Sequence, residues 1–541
     1  MPGQSVGVSY RQHTFEENYD VVVIGSGIGG LTAAALLAKH DGQRVLVLER
    51  HYTVGGFTHV FRRPGFEWDV GLHYIGQVRN PNADVRILYE HLTEGRLHWS
   101  PMPEVYDRVF LGARQYNFPT SLASFRERMK GYFPRETRAI ERYLELVCRS
   151  AHWSRLYFAE RALPPLLAAP LGPLLRFPFL RHARRTTADV LGELTQNREL
   201  MGVLTAQWGD YGLPPAQSSF GMHAIVAQHY FDGGSYPIGG ASRLAAAIVP
   251  VIERAGGRVV SSAEVAHILV GSHNRVTGVR MADGREFHSP CVISDAGASN
   301  TLRHLLPPGL RELTDMLGQI DTIPPSLAHL CLYLGLDQSA EQLRLSGTNL
   351  WIYPDENHDA NVARFLANHA APFPVVYISF PSAKDPSFAK RHPGRATIEV
   401  ITFAPYDWFQ HWEGTRWKKR GPAYEALKQT LTDRLLRVVY RHLPAVHGRV
   451  VHAELSTPLS TRHFTNHQHG EIYGLAHTPH RFELRSLGPR TPLGGLFLTG
   501  QDACVCGVTG ALLGGYLAAS AVLGRNLLSA ALRQSKGSEP G

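Results

Sequence analysis

A short glycine-rich run near the start of the chain constrains its fold more than any other feature. Val21–Ile24 is an apolar, β-branched run typical of a buried parallel strand, and the sequence GSGIGG follows it directly at 25–30. Leu31–Lys39 is rich in Ala and Leu and predicts a helix, Gln43–Leu48 predicts a second strand, and Glu49 ends that strand. Strand, glycine turn, helix, strand and acid in this order predict a unit that binds a dinucleotide.

Each glycine of this turn has a predicted role in holding a pyrophosphate. Gly25 permits the tight turn, Gly27 lets the phosphates approach the backbone, and Gly30 lets the helix and the strand pack closely. Together with Gly29, they precede a helix N-terminus whose free N–H groups attract phosphate. Glu49 lies nineteen residues after Gly30, where a carboxylate binds ribose hydroxyls and disfavours the 2′-phosphate of NADP. The alternative is a glycine-rich turn in an ordinary α/β domain.

The composition indicates a large globular protein and excludes several other classes. Of the 541 residues, 44% are hydrophobic and 19% are charged, which argues against disorder and coiled coil. The net charge of +9 fits anionic surfaces or acidic ligands, but no dense Lys/Arg tract with interleaved aromatic residues indicates a nucleic-acid partner. Five scattered cysteines, and no apolar run in the first twenty residues, favour a reducing, cytoplasmic location.

Two uncharged stretches, 21–38 and 503–524, are long enough to suggest membrane spans. Both contain repeated glycines in the pattern of a nucleotide-binding turn followed by a helix. We therefore interpret both stretches as parts of a folded nucleotide-binding domain rather than as spans.

A second glycine turn distinguishes FAD from NAD. Arg50–Gly56 follows the acid and ends in a glycine pair, and Gly495–Asp502 near the C-terminus reads GLFLTGQD. These motifs resemble the flavoprotein family of phytoene desaturases, carotenoid isomerases and retinol saturases, in which the Glu-Arg-x₄-Gly-Gly pattern cradles FAD. Further stretches, among them Phe380–Asp385 (FPSAKD) and Pro405–Trp408 (PYDW), resemble the retinol saturase branch.

The resemblance implies which residues contact the FAD. Besides the glycines of the first turn, they are Glu49, Arg50, Gly55, Gly56, His73, Val265, Gly297, Gly500, Asp502, Val508 and Gly510. Asp502 would be the flavin-binding acid, and a helix beginning near Val508 would point its dipole at the flavin. The resemblance also implies an apolar polyene or lipid as substrate. The electron source is then either a transiently bound NAD(P)H or an unidentified partner.

The expected fold is α/β, with a discontinuous Rossmann-like, two-dinucleotide-type FAD-binding domain and an inserted α+β substrate domain. The FAD-binding domain is predicted at 18–80, 235–305 and 490–530, and the substrate domain at 81–234 and 306–489. Residues 535–541 are expected to form a disordered tail.

The segment 163–185 has two competing interpretations. It reads LPPLLAAPLGPLLRFPFL followed by RHARR, and its prolines argue against one long helix. An apolar patch beside a cationic rim fits a peripheral contact with a membrane surface, where a lipid-soluble substrate would enter. A buried lid of the substrate tunnel with a solvated basic end fits equally well. The sequence leaves both interpretations open.

The chemistry expected of such a protein is hydride transfer by the flavin, with the protein supplying orientation, an apolar tunnel and a proton. Saturation, desaturation and isomerisation of a polyene all fit one site of this kind. A further alternative is a flavin- and lipid-binding protein without turnover. His73, Tyr74 and Tyr236 are candidate proton donors, as are His223 and His229, although each of these residues is more often structural.

Two other groups of side chains suggest chemistry more weakly. Five histidines cluster near the C-terminal third: His463, His467, His469, His477 and His480. Nearby Gly and Pro residues break any regular spacing, so a polar loop is favoured and no metal site is expected. Cys504 and Cys506 lie beside the expected flavin contact, and buried inert thiols are favoured over a redox-active pair.

Overall fold

The computed structural model describes residues 6–161, 163 and 165–536, and within this part it confirms the α/β fold. The expected disordered tail at 535–541 is contradicted at its first two positions. Helix Leu527–Lys536 includes positions 535 and 536, because Leu527 and Ala531 are buried and anchor the helix. Positions 537–541 lie outside the described residues.

Six parallel strands form the central sheet of the nucleotide-binding part, called here the parallel sheet. In spatial order they are Val8–Ser9, Arg258–Ser261, Val45–Leu48, Val21–Ile24, Val292–Ser294 and Leu496–Leu498. Strands from the beginning, middle and end of the chain thus meet in one sheet. Ligands of open α/β sheets bind at the carboxyl ends of such strands, where the first glycine turn and Glu49 lie.

Three long helices pack on the parallel sheet: Ile28–Asp41, Arg243–Arg254 and Gly507–Leu523. The first and last of these approach very closely, because a Cβ atom on Gly515 would lie 2.6 Å from the carbonyl oxygen of Gly29. No single described helix has the length and apolarity needed to cross a membrane. Gly507–Leu523 and the following segment 527–534 reach that length and apolarity only when they are taken together, and the chain bends by 112° between them.

Smaller sheets connect the parallel sheet to the rest of the molecule. Three antiparallel strands form a meander: Val265–Val270, Val276–Met281 and Glu286–His288. Gly234–Pro237 pairs with both Ile75–Gly76 and Trp99–Pro101. Strands Val60–Arg63 and Phe66–Asp69 form a hairpin, hairpin 60–69, that packs through Phe66 and Trp68 on the second large sheet.

The second large sheet has seven strands and is called here the seven-stranded sheet. Its order is Val450–Ser456, His329–Leu336, Ala396–Phe403, Val376–Ser379, Asn349–Tyr353, Val105–Leu111 and Arg114–Pro119. All pairs are antiparallel except Asn349–Tyr353 with Val105–Leu111. Side chains alternate between its faces, so Ile398 and Val400 pack under helix Pro422–His442 while Glu399 faces hairpin 60–69.

The remaining elements form a helical layer around these sheets. The longer helices are Asp84–Thr93, Leu122–Tyr132, Thr137–Arg161, Pro165–Ala183, Thr187–Leu194, Arg198–Leu204, Phe220–His229, Thr314–Ile320, His358–Ala367 and Pro458–Thr465. The short ones are Ala298–Asn300, Pro381–Lys384, Phe388–Arg391, Asp407–Gln410, Pro479–Glu483 and Gly500–Ala503.

The expectation that prolines prevent one helix in 163–185 is wrong. Pro165–Ala183 is one continuous helix with three prolines inside it. Each proline removes one backbone hydrogen bond and crowds the carbonyl four residues before it, but packing of Phe179 against Tyr157 and Phe158 of the neighbouring helix holds this helix in place.

Candidate functional site

A cleft of about 1560 Å³, partly open to solvent, lies at the carboxyl ends of the parallel strands and is called here the nucleotide cleft. Most of the predicted cofactor residues line it: Gly25, Gly27, Glu49, Arg50, Gly55, Gly56, Val265, Gly297, Asp502 and Val508. These residues come from both ends and the middle of the chain. The structure therefore brings the separate sequence motifs together around one space.

Four of the predicted glycines lie beneath this cleft instead of lining it. A Cβ atom on Gly29 would lie 2.5 Å from the backbone nitrogen of Gly500, and one on Gly30 would lie 2.3 Å from a carbonyl of the same turn. A Cβ atom on Gly510 would lie 2.1 Å from the carbonyl oxygen of Val505. These glycines allow the backbones of the two chain ends to touch, which shapes the cleft without direct contact to a ligand.

Glu49 is held firmly by its own surroundings. One carboxylate oxygen accepts hydrogen bonds from the backbone N–H and the hydroxyl of Ser26, at 2.9 and 2.7 Å. The other accepts a bond from the backbone N–H of His51, at 2.7 Å. A carboxylate offers about four acceptor positions, so roughly one is left to face the cleft.

Asp295 is an acid whose role the sequence motifs did not define, although the resemblance placed Gly297, two positions further on, at the cofactor. It follows strand Val292–Ser294 and lines the cleft, and its Oδ2 lies 2.3 Å from where a Cβ atom of Gly27 would be. Burial raises the pKa of Asp295 to about 7, while the N–H groups of Gly30 and Gly27 act in the opposite direction. Its carboxylate thus occupies the anion-attracting end of helix Ile28–Asp41.

Asp502 joins three segments at the other end of the cleft. Its carboxylate accepts hydrogen bonds from the backbone N–H of Ala298 at 2.9 Å and of Leu475 at 3.0 Å. Arg481 is buried behind it and donates to the carbonyl oxygens of Leu475 and Gln501. Asp502 therefore fixes the geometry of the C-terminal wall, and the helix that begins at Gly507 starts beside it.

A second cavity of about 1330 Å³ adjoins the nucleotide cleft. The two spaces share the wall residues His51, Gly56, Phe57, His59, Phe464 and Thr465. Five further aromatic side chains line the second cavity: Tyr52, Phe61, Tyr333, Trp417 and Tyr424. Four cations and two acids also line it: Arg63, Lys418, Arg420, Lys428, Glu425 and Glu454. The second cavity is therefore partly aromatic and partly charged.

His73 does not line the nucleotide cleft but belongs to a buried group of four titratable residues, called here the acid–base cluster: Asp69, His73, Lys384 and Glu399. Nδ1 of His73 lies 2.8 Å from Oε2 of Glu399. The other oxygen of Glu399 accepts the backbone N–H of Asp69, also at 2.8 Å. Nζ of Lys384 donates to the carbonyl oxygen of His73 at 2.9 Å.

Burial displaces every pKa in this cluster towards the neutral form. It raises the pKa of Glu399 to about 8 and of Asp69 to about 7. It lowers the pKa of Lys384 to about 7 and of His73 to about 3. The sequence contained a signal for one member, since Glu399 interrupts the apolar run ATIEVITF and a buried acid needs a partner.

The other candidate proton donors are tied up in structural hydrogen bonds. The hydroxyl of Tyr74 lies 3.0 Å from Oδ2 of both Asp107 and Asp210, and the hydroxyl of Tyr236 donates to Asp69. Burial raises the pKa of both tyrosines well above its ordinary value. His223 lies between two tyrosine hydroxyls, and His229 accepts the backbone N–H of Gly76.

The five clustered histidines have separate partners. His463 stacks on Trp417, Nδ1 of His467 bonds the carbonyl of Glu471, Nε2 of His477 accepts the N–H of Cys506, and His480 contacts Thr322. His469 packs edge-on against Tyr406. Among the described residues, no three His, Cys, Asp or Glu side chains form a metal-binding group.

Cys504 and Cys506 are buried free thiols. Burial raises the pKa of Cys504 to about 12 and the pKa of Cys506 still further. Since the thiolate is the reactive form, these surroundings favour the inert interpretation.

Comparison with known proteins identifies relatives along nearly the whole chain. A family model described as an NAD(P)-binding Rossmann-like domain matches residues 23–92. The all-trans-retinol 13,14-reductase of Rattus norvegicus is 38% identical over 531 residues, covering 95% of this chain and 87% of that protein. The Homo sapiens protein of the same name is 37% identical over 540 residues, covering 96% and 88%. Prolycopene isomerase 1 of an Oncidium hybrid cultivar is 25% identical, covering 91% and 81%.

Solved structures show the same architecture at lower sequence identity. A putrescine oxidase in complex with putrescine superposes with a TM-score of 0.62 at 16% identity, covering 94% of this chain and 99% of that one. An oxidoreductase from Methanosarcina mazei gives 0.58 at 16% identity, covering 92% and 98%. At these identities the likeness shows the fold alone.

The predicted Rossmann-like architecture and the predicted family are both confirmed. Identity above one third over about 95% of the chain leaves no alternative family of comparable similarity among these relatives. The chain belongs to the family of all-trans-retinol 13,14-reductases and is an oxidoreductase.

Proposed function

We propose that this protein is an FAD-dependent reductase that saturates a carbon–carbon double bond of a retinoid or a related long apolar polyene. The observation that carries the proposal is the aromatic second cavity that shares a wall with the nucleotide cleft. A polyene in this cavity would pack against the aromatic rings and would end beside Phe57 and His59 at the cleft. The names of the relatives supply the 13,14-reduction as the specific reaction.

FAD fits the nucleotide cleft better than a diffusible nicotinamide, since residues from both chain ends surround it. Gly27 and the N-terminus of helix Ile28–Asp41 would hold the pyrophosphate, and Glu49 would hold the ribose. Val265 would contact the adenine through its backbone. The N-terminus of helix Gly507–Leu523 would stabilise negative charge on the reduced flavin. When bound, FAD supplies the hydride for the reaction.

The protein's own contribution is to orient the polyene, to exclude water and to deliver a proton. The ring faces of Phe61, Tyr333 and Trp417 would orient an extended apolar molecule by packing against it. We also propose that the electrons reach the FAD from a transiently bound NAD(P)H or from a partner protein. The second candidate function is isomerisation of a polyene, favoured by the prolycopene isomerases among the relatives.

An anaerobic single-turnover experiment tests this function. Holoenzyme is reduced chemically, all-trans-retinol is added, and the flavin absorbance and the lipid mass are followed. Reoxidation of the flavin with addition of two hydrogens to the lipid is expected. An altered isomer of constant mass would establish an isomerase instead, and no change in either signal would leave a binding protein without turnover. FAD-free protein is the control.

We propose in addition that the protein acts at the cytoplasmic surface of a membrane and takes its substrate from the lipid. Helix Pro165–Ala183 presents large apolar side chains to the outside: Leu166 is 88% exposed, Leu174 is 74% exposed and Phe177 is 64% exposed. The basic run from Arg181 to Arg185 flanks them. An apolar helix face with a cationic flank matches the surface of an anionic bilayer.

Co-sedimentation with anionic vesicles tests the membrane proposal. Leu174→Asp places a charge in the apolar face and is expected to weaken vesicle binding at least tenfold. Leu366→Asp is the matched control, because Leu366 is an exposed leucine on helix His358–Ala367, a different helix. Equal loss in both variants, or no vesicle binding by the unaltered protein, would contradict the proposal.

A further inference from the structure

The acid–base cluster has the geometry of a path for a proton. Glu399 is fully buried in the middle of strand Ala396–Phe403, and its two oxygens are divided between two partners. Oε1 accepts the backbone N–H of Asp69, which leaves Oε2 to share a proton with Nδ1 of His73 at 2.8 Å. A carboxyl group and an imidazole at this distance exchange protons readily.

The opposite edge of the His73 ring faces internal space. Nε2 makes no hydrogen bond within the described part of the chain, and 13% of the side chain is accessible although the residue lies deep in the molecule. His73 follows Val70, which lines the second cavity, and Gly71, which lines the nucleotide cleft. The backbone of His73 therefore lies next to the wall where the two spaces meet, and the accessible edge of its ring carries Nε2.

We propose that Glu399 and His73 form a proton relay, in which Nε2 of His73 protonates the double bond that receives the hydride and Glu399 replaces that proton through Nδ1. This inference rests on the proposed reductase function. Glu399 is a positioning residue in this scheme, since it acts through His73, and Lys384 fixes the ring by its bond to the His73 carbonyl.

The step balances without a further reactant. The hydride that FAD would supply forms a C–H bond at one alkene carbon, and the electron pair of the double bond takes the proton from Nε2 at the neighbouring carbon. The proton on Oε2 of Glu399 moves to Nδ1, so the imidazole stays neutral and changes only its tautomer. After product leaves, a proton from solvent returns to Nε2 and the proton on Nδ1 returns to Oε2 of Glu399, which restores the starting tautomer.

The charges around the relay suit this role. Burial raises the pKa of Glu399 to about 8, so the carboxyl holds a proton at neutral pH, whereas the positive charge of Lys384 acts in the opposite direction. Burial lowers the pKa of His73 to about 3, so its ring is neutral. The titratable groups that face Glu399 from the packed elements are Asp69, His73, Tyr236, Cys331, Tyr333 and Lys384.

Infrared spectroscopy tests the proton store without any reaction. The full-length holoenzyme at neutral pH is expected to show the carbonyl stretch of protonated carboxyl groups, and Glu399→Gln should remove one component of this band, which fades in the unaltered protein as the pH rises through about 8. Glu286→Gln, an acid-to-amide change at a partly exposed position of strand Glu286–His288, should leave that component unchanged. If the difference spectrum between the unaltered protein and Glu399→Gln contains no such component, the relay is overturned.

Single-turnover kinetics tests the delivery step. Glu399→Gln keeps an acceptor for Asp69 and a partner for His73 but has no transferable proton, so flavin reoxidation by retinol should slow on the order of 10²-fold with unchanged retinol affinity. The unaltered rate should fall above about pH 8, and the variant's rate should be flat. Reoxidation within threefold of the unaltered protein refutes the relay. If the unaltered holoenzyme does not react with retinol at all, the reductase function fails and the delivery step fails with it. The infrared band still decides separately whether Glu399 stores a proton.

Discussion

The nucleotide cleft and the acid–base cluster are built by opposite means. Backbone atoms form the critical parts of the cleft. These are glycines without side chains, N–H groups at helix ends, and two segments near opposite ends of the chain that touch at Gly29 and Gly500. The cluster is made of side chains that the sequence keeps far apart, since His73 and Glu399 are separated by 326 positions. The nucleotide cleft depends on glycines that have no side chain, and the acid–base cluster depends on which of its side chains carry a proton.

This difference predicts how each region fails. A single methyl group is enough to damage the cleft, because its backbones are already in contact. The cluster depends on protonation as well as on packing, because burial displaces the pKa of each of its groups towards the neutral form. Variants that disturb one region and spare the other are therefore the sharpest tests of the comparison.

The largest expected effect is on the free energy of unfolding, and it comes from Trp68, which precedes Asp69 of the acid–base cluster. Trp68 is fully buried, stacks on Phe61 and Phe66, and donates from Nε1 to the carbonyl of Leu334 at 3.0 Å. Trp68→Ala should lower the free energy of unfolding by about 3–5 kcal/mol, because it empties the interface that holds Asp69 against Glu399. Thermal unfolding measures the loss.

The conservative variant separates packing from hydrogen bonding. Trp68→Phe keeps an aromatic ring but removes the hydrogen bond to the Leu334 carbonyl, which lies in a strand paired on both sides, so the loss should be only about 0.5–1.5 kcal/mol. FAD affinity should stay within about threefold in both variants. A large loss of FAD affinity on Trp68→Phe would show that the two regions are coupled, against the comparison.

The converse variant attacks the cleft alone. In Gly29→Ala, the new Cβ atom would lie 2.5 Å from the backbone nitrogen of Gly500, so the two chain ends must separate. FAD affinity, measured by fluorescence titration, should fall at least about tenfold, or 1.4 kcal/mol. Gly318→Ala is the matched control, since Gly318 lies on an exposed helix with open space around its Cβ position. Unchanged affinity in Gly29→Ala would refute the close contact.

The same contrast explains how much of the molecule was predictable from sequence. The nucleotide cleft was predictable because strand, glycine turn, helix and acid follow one another within 21–49, and each has a local signature. The acid–base cluster was not predictable. A glutamate within an apolar strand, such as Glu399, indicates a buried acid but does not indicate which residue is its partner. Only the pairing of hairpin 60–69 with the seven-stranded sheet brings His73 and Glu399 together.

In two places, residues that usually end a helix did not do so, and the reason is the same in both. Three prolines did not end helix Pro165–Ala183, and polar residues did not end the last helix before Lys536. In both helices, buried side chains such as Phe179 and Ala531 anchor the backbone against its neighbours. Tertiary packing decides such cases, and a single sequence shows packing only indirectly.

A smaller effect is the pH dependence of FAD affinity. It concerns Asp295, whose carboxylate lies at the helix N-terminus where the pyrophosphate is expected. Burial raises the pKa of Asp295 to about 7, so its carboxylate is charged above this pH and neutral below it. A pyrophosphate beside a charged carboxylate is repelled, so FAD affinity should rise about threefold to tenfold as the pH falls from about 8 to about 6. Asp295→Asn should bind FAD with an affinity that no longer changes over this range.

That prediction has a clear contrary result. Glu49 and Asp502 are the other acids whose charge acts on Asp295. If FAD affinity falls on acidification in the unaltered protein, protonation weakens the site and Asp295 is a partner of the cofactor instead of its competitor.

The smallest expected effect is at Cys506, beside the C-terminal wall of the cleft. Because burial raises the pKa of both Cys504 and Cys506, neither thiol forms the thiolate that redox exchange requires. Cys506→Ala should therefore leave the electron uptake of the holoenzyme unchanged, with one electron pair per flavin in an anaerobic titration. Uptake of a second pair by the unaltered protein, lost in the variant, would instead establish a redox-active pair. The C-terminal wall would then take part in the chemistry. The comparison between a nucleotide cleft that only binds the cofactor and an acid–base cluster that transfers a proton would no longer hold.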